Sequence, residues 1–170
     1  MALFLSLVFA LSALPAAASA AFQEADRKAV EADARAVLDK TGWNFKSAYD
    51  WCVKNITYKK GTPSDNANYG VDNFARYGFE HKKGNCYTFA SCLYEMGKLL
   101  NVDIHVIHGK VLYRNSSYGP HAWNEVDQNG KTYVCDAEYE KECIQQKRSH
   151  ISGYMFPYKT KGTWKYANGK

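Results

Sequence analysis

Cys86, near the middle of the chain, stands where a reactive thiol could form. It follows the turn-forming stretch KKGN and begins an apolar-periodic segment that predicts a helix. The first turn of a helix carries unpaired N–H groups and the positive end of the helix dipole, and both favour a thiolate. A cysteine at a helix start more often packs or pairs than reacts, so this hypothesis depends on what else lies nearby.

A histidine and an aspartate are predicted to share one face of a hairpin. The alternating stretches HAWNEV and KTYVCD are joined by DQNG, which is a strong turn signal. If the turn is Asp127–Gly130, His121 lies opposite Asp136; if the loop is only residues 129–130, Asp136 is the diagonal neighbour. Both registers leave the two side chains on one face, because strand side chains alternate with period two. A carboxylate there would fix the histidine tautomer.

The order Cys, His, Asp in this setting resembles the transglutaminase-like superfamily, which has a papain-like fold. The resemblance is carried by GNCYTFASCLYEMGKLL around Cys86, GPHAWNEV around His121 and YVCDAEYE around Asp136. AYDWCVKNITY also resembles the helix before the core in bacterial secreted members, so the likeness covers about residues 44–140. Carried over by position, Cys86 is the nucleophile, His121 the base and Asp136 the orienting group.

The sequence departs from the family pattern at two positions. Asn101 stands where the family has a glycine after the core helix, although asparagine can also adopt a left-handed cap. Ala137 stands where the aspartate is usually followed by proline. The second oxyanion donor is left open among Asn68, Tyr69, Asn73 and Tyr77, and Trp123 on the histidine face is more often a core residue than part of a site.

The resemblance implies an enzyme whose cysteine attacks a peptide or glutamine amide carbonyl to form a thioester. Water would then make it a protease or amidase, and an amine would make it an acyltransferase. The substrate would be a peptide or protein, with cell-wall peptide as one class, and neither a cofactor nor a metal is expected. The alternative is a non-catalytic cell-envelope module on the same fold that binds peptide or glycan.

The wider sequence predicts an α+β fold with a papain/transglutaminase-like core, in which N-terminal helices and a central helix pack on an antiparallel sheet. The central helix is the clearest element, because Phe89, Leu93, Met96 and Leu100 form one apolar stripe. The predicted elements are helices at 24–39 and 44–55, a long loop at 59–85 with one short helix near 72–77, the central helix from 86, strands at 104–113, 121–126 and 131–136, and C-terminal strands within 150–167.

Residues 1–20 predict a secretory signal peptide, followed by a single domain over 21–170. The stretch carries no charge, has an apolar run from Leu3 to Leu14, and ends in the small-x-small site Ala18-Ser19-Ala20. An uncleaved anchor is the alternative, but Pro15 favours cleavage and hence no stable membrane span. We therefore expect a secreted or cell-envelope location. The net charge of +5 is scattered rather than clustered, so no nucleic-acid partner is expected.

Five cysteines in an exported chain leave one without a partner. If Cys86 is kept as the reactive thiol, the other four allow three pairings. Two of the four, Cys52 and Cys92, lie on the inner faces of their helices, and the other two, Cys135 and Cys143, are close in sequence. The sequence therefore favours Cys52–Cys92 and Cys135–Cys143 disulfides.

Overall fold

The helices and strands follow the predicted order, with additions in the loop and after the hairpin. The protein is described by a computed structural model over residues 16–112, 117–148, 151–160 and 164–167. Its elements are the helices α1 (Ala16–Thr41), α2 (Phe45–Asn55), α3 (Val71–His81), α4 (Cys86–Leu99) and α5 (Ala137–Gln145), and the strands β1 (Thr57–Tyr58), β2 (Lys83–Gly84), β3 (Ile104–Leu112), β4 (Tyr118–Gln128), β5 (Lys131–Cys135) and β6 (Lys165–Ala167). The architecture is α+β, as predicted.

The main sheet is antiparallel and has the order β5-β4-β3-β6. In the β4–β5 hairpin Asn124 pairs with Cys135, and Gln128 pairs with Lys131. The loop is therefore the two-residue turn Asn129-Gly130, whose φ angles of 53° and 72° suit a type I′ turn. Of the two predicted registers the second is correct, and Asp136 is the diagonal neighbour of His121.

Helix α4 forms the centre of the larger core. Phe89, Leu93 and Met96 are at most 1% exposed, which confirms the predicted stripe. Helices α1, α2 and α3 and one face of the sheet pack around it. Asn101, at φ 53°, follows the helix in the left-handed region and the next N–H donates to the Gly97 carbonyl. Asn101 thus takes the conformation expected of the family's glycine.

The loop predicted over 59–85 is more ordered than expected. It holds a 3-10 turn at Ala67–Tyr69, the eleven-residue helix α3, and strand β2, which pairs in parallel with β1 just before the loop. Helix α3 forms because Phe74, Ala75 and Phe79 lie on one face and are buried. Polar residues separate these positions in the sequence, so the sequence indicated only a short helix here.

Helix α5 was not predicted, although its start carries the usual signals. Asp136 is its N-cap, since the side chain accepts a hydrogen bond from the Tyr139 N–H at 3.0 Å. Glu138 and Glu140 lie in the first turn, where negative charge is favourable. Ala137 holds the first helical position, which is also where proline is well tolerated.

The described residues of the C-terminal segment form one strand rather than the two predicted. Strand β6 pairs with β3, but residues 153–158 form no strand and pair with β5 by a single bridge, between Phe156 and Val134. With Trp123, Tyr139 and Trp164, this segment builds a second core on the other side of the sheet.

Most of the predicted signal peptide, residues 1–15, lies outside the described residues. Residues 16–20 form the start of α1, which runs on without a break to Thr41. Among the described helices, none combines the length and the apolar character needed to cross a membrane. Cleavage of the signal peptide stays a prediction.

Candidate active site

Cys86 is the first residue of α4 and lies in the wall of a cavity. Asn85, the residue before the helix, is buried and its side-chain amide donates to the Ser64 carbonyl at 2.7 Å. The thiol itself is 9% exposed. The backbone N–H of Cys86 is among the first four of the helix, which have no partner within the helix. This is the local setting predicted from the sequence.

The structure brings the three predicted site residues together. The Nε2 atom of His121 lies 2.7 Å from an Asp136 carboxylate oxygen, and both side chains are nearly fully buried. The Cys86 thiol lies beside the same imidazole, close enough to raise its pKa, and both side chains line one cavity. Because Nε2 is engaged by Asp136, Nδ1 is the ring nitrogen left to exchange a proton with the thiol.

The electrostatic setting favours the imidazolium form of His121. Burial by itself lowers the pKa of His121, but the charge and hydrogen bond of Asp136, and then those of Cys86, outweigh it. The net result holds the pKa of His121 well above its usual value. A proton is therefore available on the ring beside the sulfur at neutral pH.

Asp136 is held by donors from three directions. One carboxylate oxygen accepts from the backbone N–H of Tyr139, and the other accepts from His121 and from the Tyr166 hydroxyl, at 2.7 Å each. The Tyr49 hydroxyl lies 3.2 Å from the Asp136 backbone carbonyl. The carboxylate is thus held from α5, β4 and β6, and the Asp136 backbone from α2.

Glu138, which no sequence pattern indicated, lies beside the three predicted residues. Its carboxylate oxygen is 3.9 Å from Nδ1 of His121, and its side chain is 9% exposed. Burial raises the pKa of Glu138 to about 8, with the charge on His121 opposing the shift and the charges on Asp136 and Glu142 adding to it. The signal that could have found it is the N-cap Asp136, which places residue 138 in the first helical turn.

The cavity at Cys86 has a volume of about 590 Å³, within the usual range for a ligand site. Its walls come from the β1 loop, α4, β4, α5 and the C-terminal segment. The lining residues include Tyr58, Lys60, Asp65, Asn85, Tyr87, Glu138, Glu142 and Trp164. The four residues considered as oxyanion donors, from Asn68 to Tyr77, do not line this cavity.

Two tryptophans surround the His121 ring. Trp164 lines the cavity and packs edge-on to the imidazole, with ring centroids 5.1 Å apart. Trp123 stacks behind the ring at 6.1 Å and is 1% exposed, so it is a core residue, as the sequence favoured. Trp164 and Tyr166 pack inward on the site rather than facing solvent as a binding strand would.

The two disulfides favoured by the sequence are not formed, and all five cysteines are free and buried. Cys135 packs in the larger core, whereas Cys143 lies in the second core across the sheet, so the two point apart. The Cys92 sulfur lies 3.5 Å from the Ala75 carbonyl oxygen. Cys52 lies near Cys92, but the two cysteines form no disulfide. Burial raises the pKa of both Cys92 and Cys52.

Two groups of side chains among the described residues have the spacing of metal ligands. One is the exposed set Asp103, His105 and Asp127, and the other is His121 with Asp136 and Glu138. His121 and Asp136 already satisfy each other by a hydrogen bond. The absence of a metal requirement stays a prediction, for which an experiment is given below.

Two known structures align with parts of this chain. A crystal structure of a TGase aligns with 68% of this chain at 18% identity and a TM-score of 0.50. A putative cysteine protease from Cytophaga hutchinsonii aligns with 65% of it at 17% identity and a TM-score of 0.48. The aligned parts are 35% and 37% of those chains, so this chain spans about a third of their length. No curated protein matches it in sequence.

The family model of the transglutaminase-like superfamily matches residues 26–136. The match includes α4, the β4–β5 hairpin and all three predicted site residues. It ends at Asp136, so helix α5 and the C-terminal segment that encloses the site lie beyond it. The predicted papain/transglutaminase-like core is confirmed, and the chain belongs to the transglutaminase-like superfamily.

Proposed function

We propose that this protein is a cysteine-nucleophile enzyme that cleaves or transfers the acyl group of a peptide or glutamine amide through a thioester. The observation that supports this most strongly is the contact of one imidazole, His121, with both the Cys86 thiol and the Asp136 carboxylate. A buried cysteine with only a packing role does not need such a partner. Membership of the transglutaminase-like superfamily supports the same reaction class.

In the proposed reaction the Cys86 thiolate attacks the amide carbon and the carbonyl oxygen becomes an oxyanion. The Cys86 N–H and the positive end of the α4 dipole are suited to stabilise that charge. His121 then gives its proton to the leaving amine, and the C–N bond breaks to leave a thioester on Cys86. Water or a second amine, deprotonated by His121, attacks the thioester and releases the thiol.

Asp136 takes no proton in this scheme. Its carboxylate stabilises the imidazolium and directs Nδ1 at the sulfur. Tyr166 and the Tyr139 N–H in turn hold the carboxylate in place. Because these contacts exist before any substrate binds, little reorganisation is needed at the moment of reaction.

The proposal includes export and a peptide substrate outside the cytoplasm, with cell-wall peptide as one class. The uncharged, apolar residues 1–20 with a small-x-small site support export. The open cavity of about 590 Å³ beside Cys86 is large enough for several atoms of a peptide on either side of the reacting amide.

The experiment is to trap the thioester. The protein is mixed with a library of glutamine-containing and unmodified peptides, quenched in acid within seconds, and analysed by intact mass and peptide mapping. We expect an acyl adduct on Cys86 in the wild type and none in Cys86→Ala. Adding an excess of a small primary amine separates transfer from hydrolysis by the product formed. Turnover that persists in Cys86→Ala, or adducts only on other residues, would contradict the proposal.

A further inference from the structure

The cavity beside Cys86 has the opposite charge to the protein as a whole. The chain carries a net charge of +5, yet the walls of the cavity contain three carboxyl groups, on Asp65, Glu138 and Glu142, and one ammonium, on Lys60. A thiolate and an imidazolium at Cys86 and His121 would cancel each other. The charge that remains in the cavity favours a positively charged group.

Glu138 shows that this feature is more than a group of acidic surface residues. Its side chain is more than nine-tenths buried, and its contact with Nδ1 of His121, at 3.9 Å, is too long for a hydrogen bond. A buried carboxylate is costly to the fold, and burial accordingly raises the pKa of Glu138 to about 8. The group lines the cavity, so a ligand that brings N–H donors would satisfy it.

A second group in the wall lacks a donor. Asn85 is 2% exposed, and its side-chain NH₂ is used by Ser64 and Asp65. Its side-chain oxygen has no hydrogen-bond partner among the described residues. The unsatisfied atom of Asn85 is therefore an acceptor. The aromatic rings of Tyr87 and Trp164 also line the cavity, and ring faces attract cations.

Glu138 lies on the His121 side of the reacting centre. In the proposed reaction His121 protonates the leaving amine, so groups next to its Nδ1 face the part of the substrate that departs. Glu142 lies one turn further along α5 and lines the same wall. The two carboxyl groups thus continue from the reacting centre along the leaving-group side.

We propose that the Glu138–Glu142 wall recognises a positively charged side chain, a primary ammonium, carried by the leaving-group side of the substrate and separate from the reacting nitrogen. This inference rests on the proposed function for the meaning of leaving-group side. The charge preference itself is a property of the cavity and is measured without turnover.

The test compares the rates at which Cys86 reacts with three small methanethiosulfonates that differ in charge. The reagents are the neutral methyl compound, the cationic 2-(trimethylammonium)ethyl compound and the anionic 2-sulfonatoethyl compound, all used with a chelator present. Each rate is divided by that for free cysteine, and peptide mapping assigns the label to Cys86. The neutral reagent reports any change in the thiol itself, so the cationic-to-neutral ratio isolates the effect of charge.

We expect the cationic reagent to be favoured over the anionic one by about tenfold or more. At pH 9, above the pKa of about 8 of Glu138, Glu138→Gln and Glu142→Gln should each reduce the cationic-to-neutral ratio by about threefold. Asp103→Asn is the matched control, because it removes one negative charge from the exposed start of β3 and should leave the ratio unchanged. Equal rates for all charges, a ratio unaffected by Glu138→Gln, or no labelling of Cys86 would overturn the inference.

A second arm uses any peptide substrate found in the acyl-enzyme experiment. Its first leaving-side residue is varied between lysine and norleucine, which differ in charge but hardly in the length of the chain. We expect kcat/KM to favour lysine in the wild type and the preference to be lost in Glu138→Gln. A cationic preference in labelling without any acyl-enzyme would leave this inference standing and the proposed function wrong. An acyl-enzyme without any charge preference would support the proposed function and overturn this inference.

Discussion

Asp136 combines two tasks that different substitutions can separate. Its carboxylate orients His121, and one of its oxygens also caps helix α5. Asparagine is as good an N-cap as aspartate but cannot stabilise the imidazolium or fix the same tautomer. The chemical role and the structural role are therefore expected to respond differently to the two variants below.

We predict that Asp136→Asn lowers kcat by about two to four orders of magnitude and, because it removes the charge paired with the His121 imidazolium, also lowers the unfolding free energy. Asp136→Ala should show the same loss of activity and a further loss of about 1 kcal/mol in unfolding free energy, because the cap is gone. Steady-state kinetics and thermal unfolding of both variants check this. Wild-type kcat in Asp136→Asn would refute the role given to the carboxylate.

Glu138 is predicted to reduce stability at alkaline pH. Burial raises its pKa from 4.5 to about 8, so the folded chain keeps a proton that the unfolded chain has lost. Stability therefore falls as the pH rises from about 4.5 to about 8. Glutamine does not ionise, and Glu138→Gln should remove this part of the pH dependence.

The measurement is the unfolding free energy of wild type and Glu138→Gln at pH 5 and pH 8. The variant should gain, relative to wild type, more than about 1.4 kcal/mol between the two values, which corresponds to one pKa unit. His121, whose pKa is raised, contributes stability that is lost as the pH rises, but it is present in both proteins. An identical pH dependence in the two proteins would rule out a shifted Glu138.

At the scale of elements, the C-terminal segment completes a site that the core alone leaves open. Strand β6 pairs with β3 and delivers the Tyr166 hydroxyl to Asp136. Trp164, just before this strand, covers the His121 ring. Gly153 belongs to the same segment, and any side chain there would meet the Asp136 carbonyl at 2.2 Å. The C-terminal segment thus supports Asp136, although it lies outside the region that the family model matches.

The variant Tyr166→Phe tests whether the Tyr166 hydroxyl supports the Asp136 carboxylate. Removing the hydroxyl leaves the ring packing but loses one hydrogen bond to a charged acceptor, so we expect kcat to fall by about tenfold with little change in KM. Tyr118→Phe, at an exposed position on β4, is the matched control and should behave as wild type. A purely structural role would instead lower the unfolding midpoint and leave kcat of the folded protein intact.

The elements also show which parts of the site were predictable. The hairpin was predictable, because period-two alternation and the DQNG turn place His121 and Asp136 on one face in either register. The start of α4 at Cys86 was predictable from the apolar stripe that follows it. Three other site residues were not predictable. The position of Glu138 depends on helix α5, which was not predicted. The positions of Trp164 and Tyr166 depend on the pairing of β6 with β3, a strand more than fifty residues earlier.

At the scale of the whole molecule, the two-core packing explains why the cysteine count misled. Five cysteines in a chain expected to be exported favour disulfides, but apart from Cys86, which lines the cavity, each cysteine is buried in one of the two cores. Burial makes a free thiol an ordinary apolar residue. Sequence distance suggested that Cys135 and Cys143 are neighbours, whereas the sheet separates them.

We predict that the enzyme needs no metal ion. Among the described residues, the one buried group with metal-ligand spacing is His121, Asp136 and Glu138, and a divalent ion there would take the nitrogen and oxygens that the proposed reaction uses. Dialysis against a chelator should therefore leave kcat/KM unchanged, and added zinc should inhibit. Activity that disappears on chelation and returns with calcium would contradict this.

The central claim is that His121 holds Cys86 as a reactive thiolate, and the rate of alkylation by iodoacetamide at pH 6 tests it most directly. Free cysteine is almost wholly protonated at this pH, so a thiolate paired with an imidazolium should stand out. We predict that Cys86 in the wild type reacts at least about tenfold faster than free cysteine. His121→Ala should lose this advantage, and the other four cysteines should stay unlabelled. A rate for Cys86 no greater than that of free cysteine, unchanged by His121→Ala, would contradict the account.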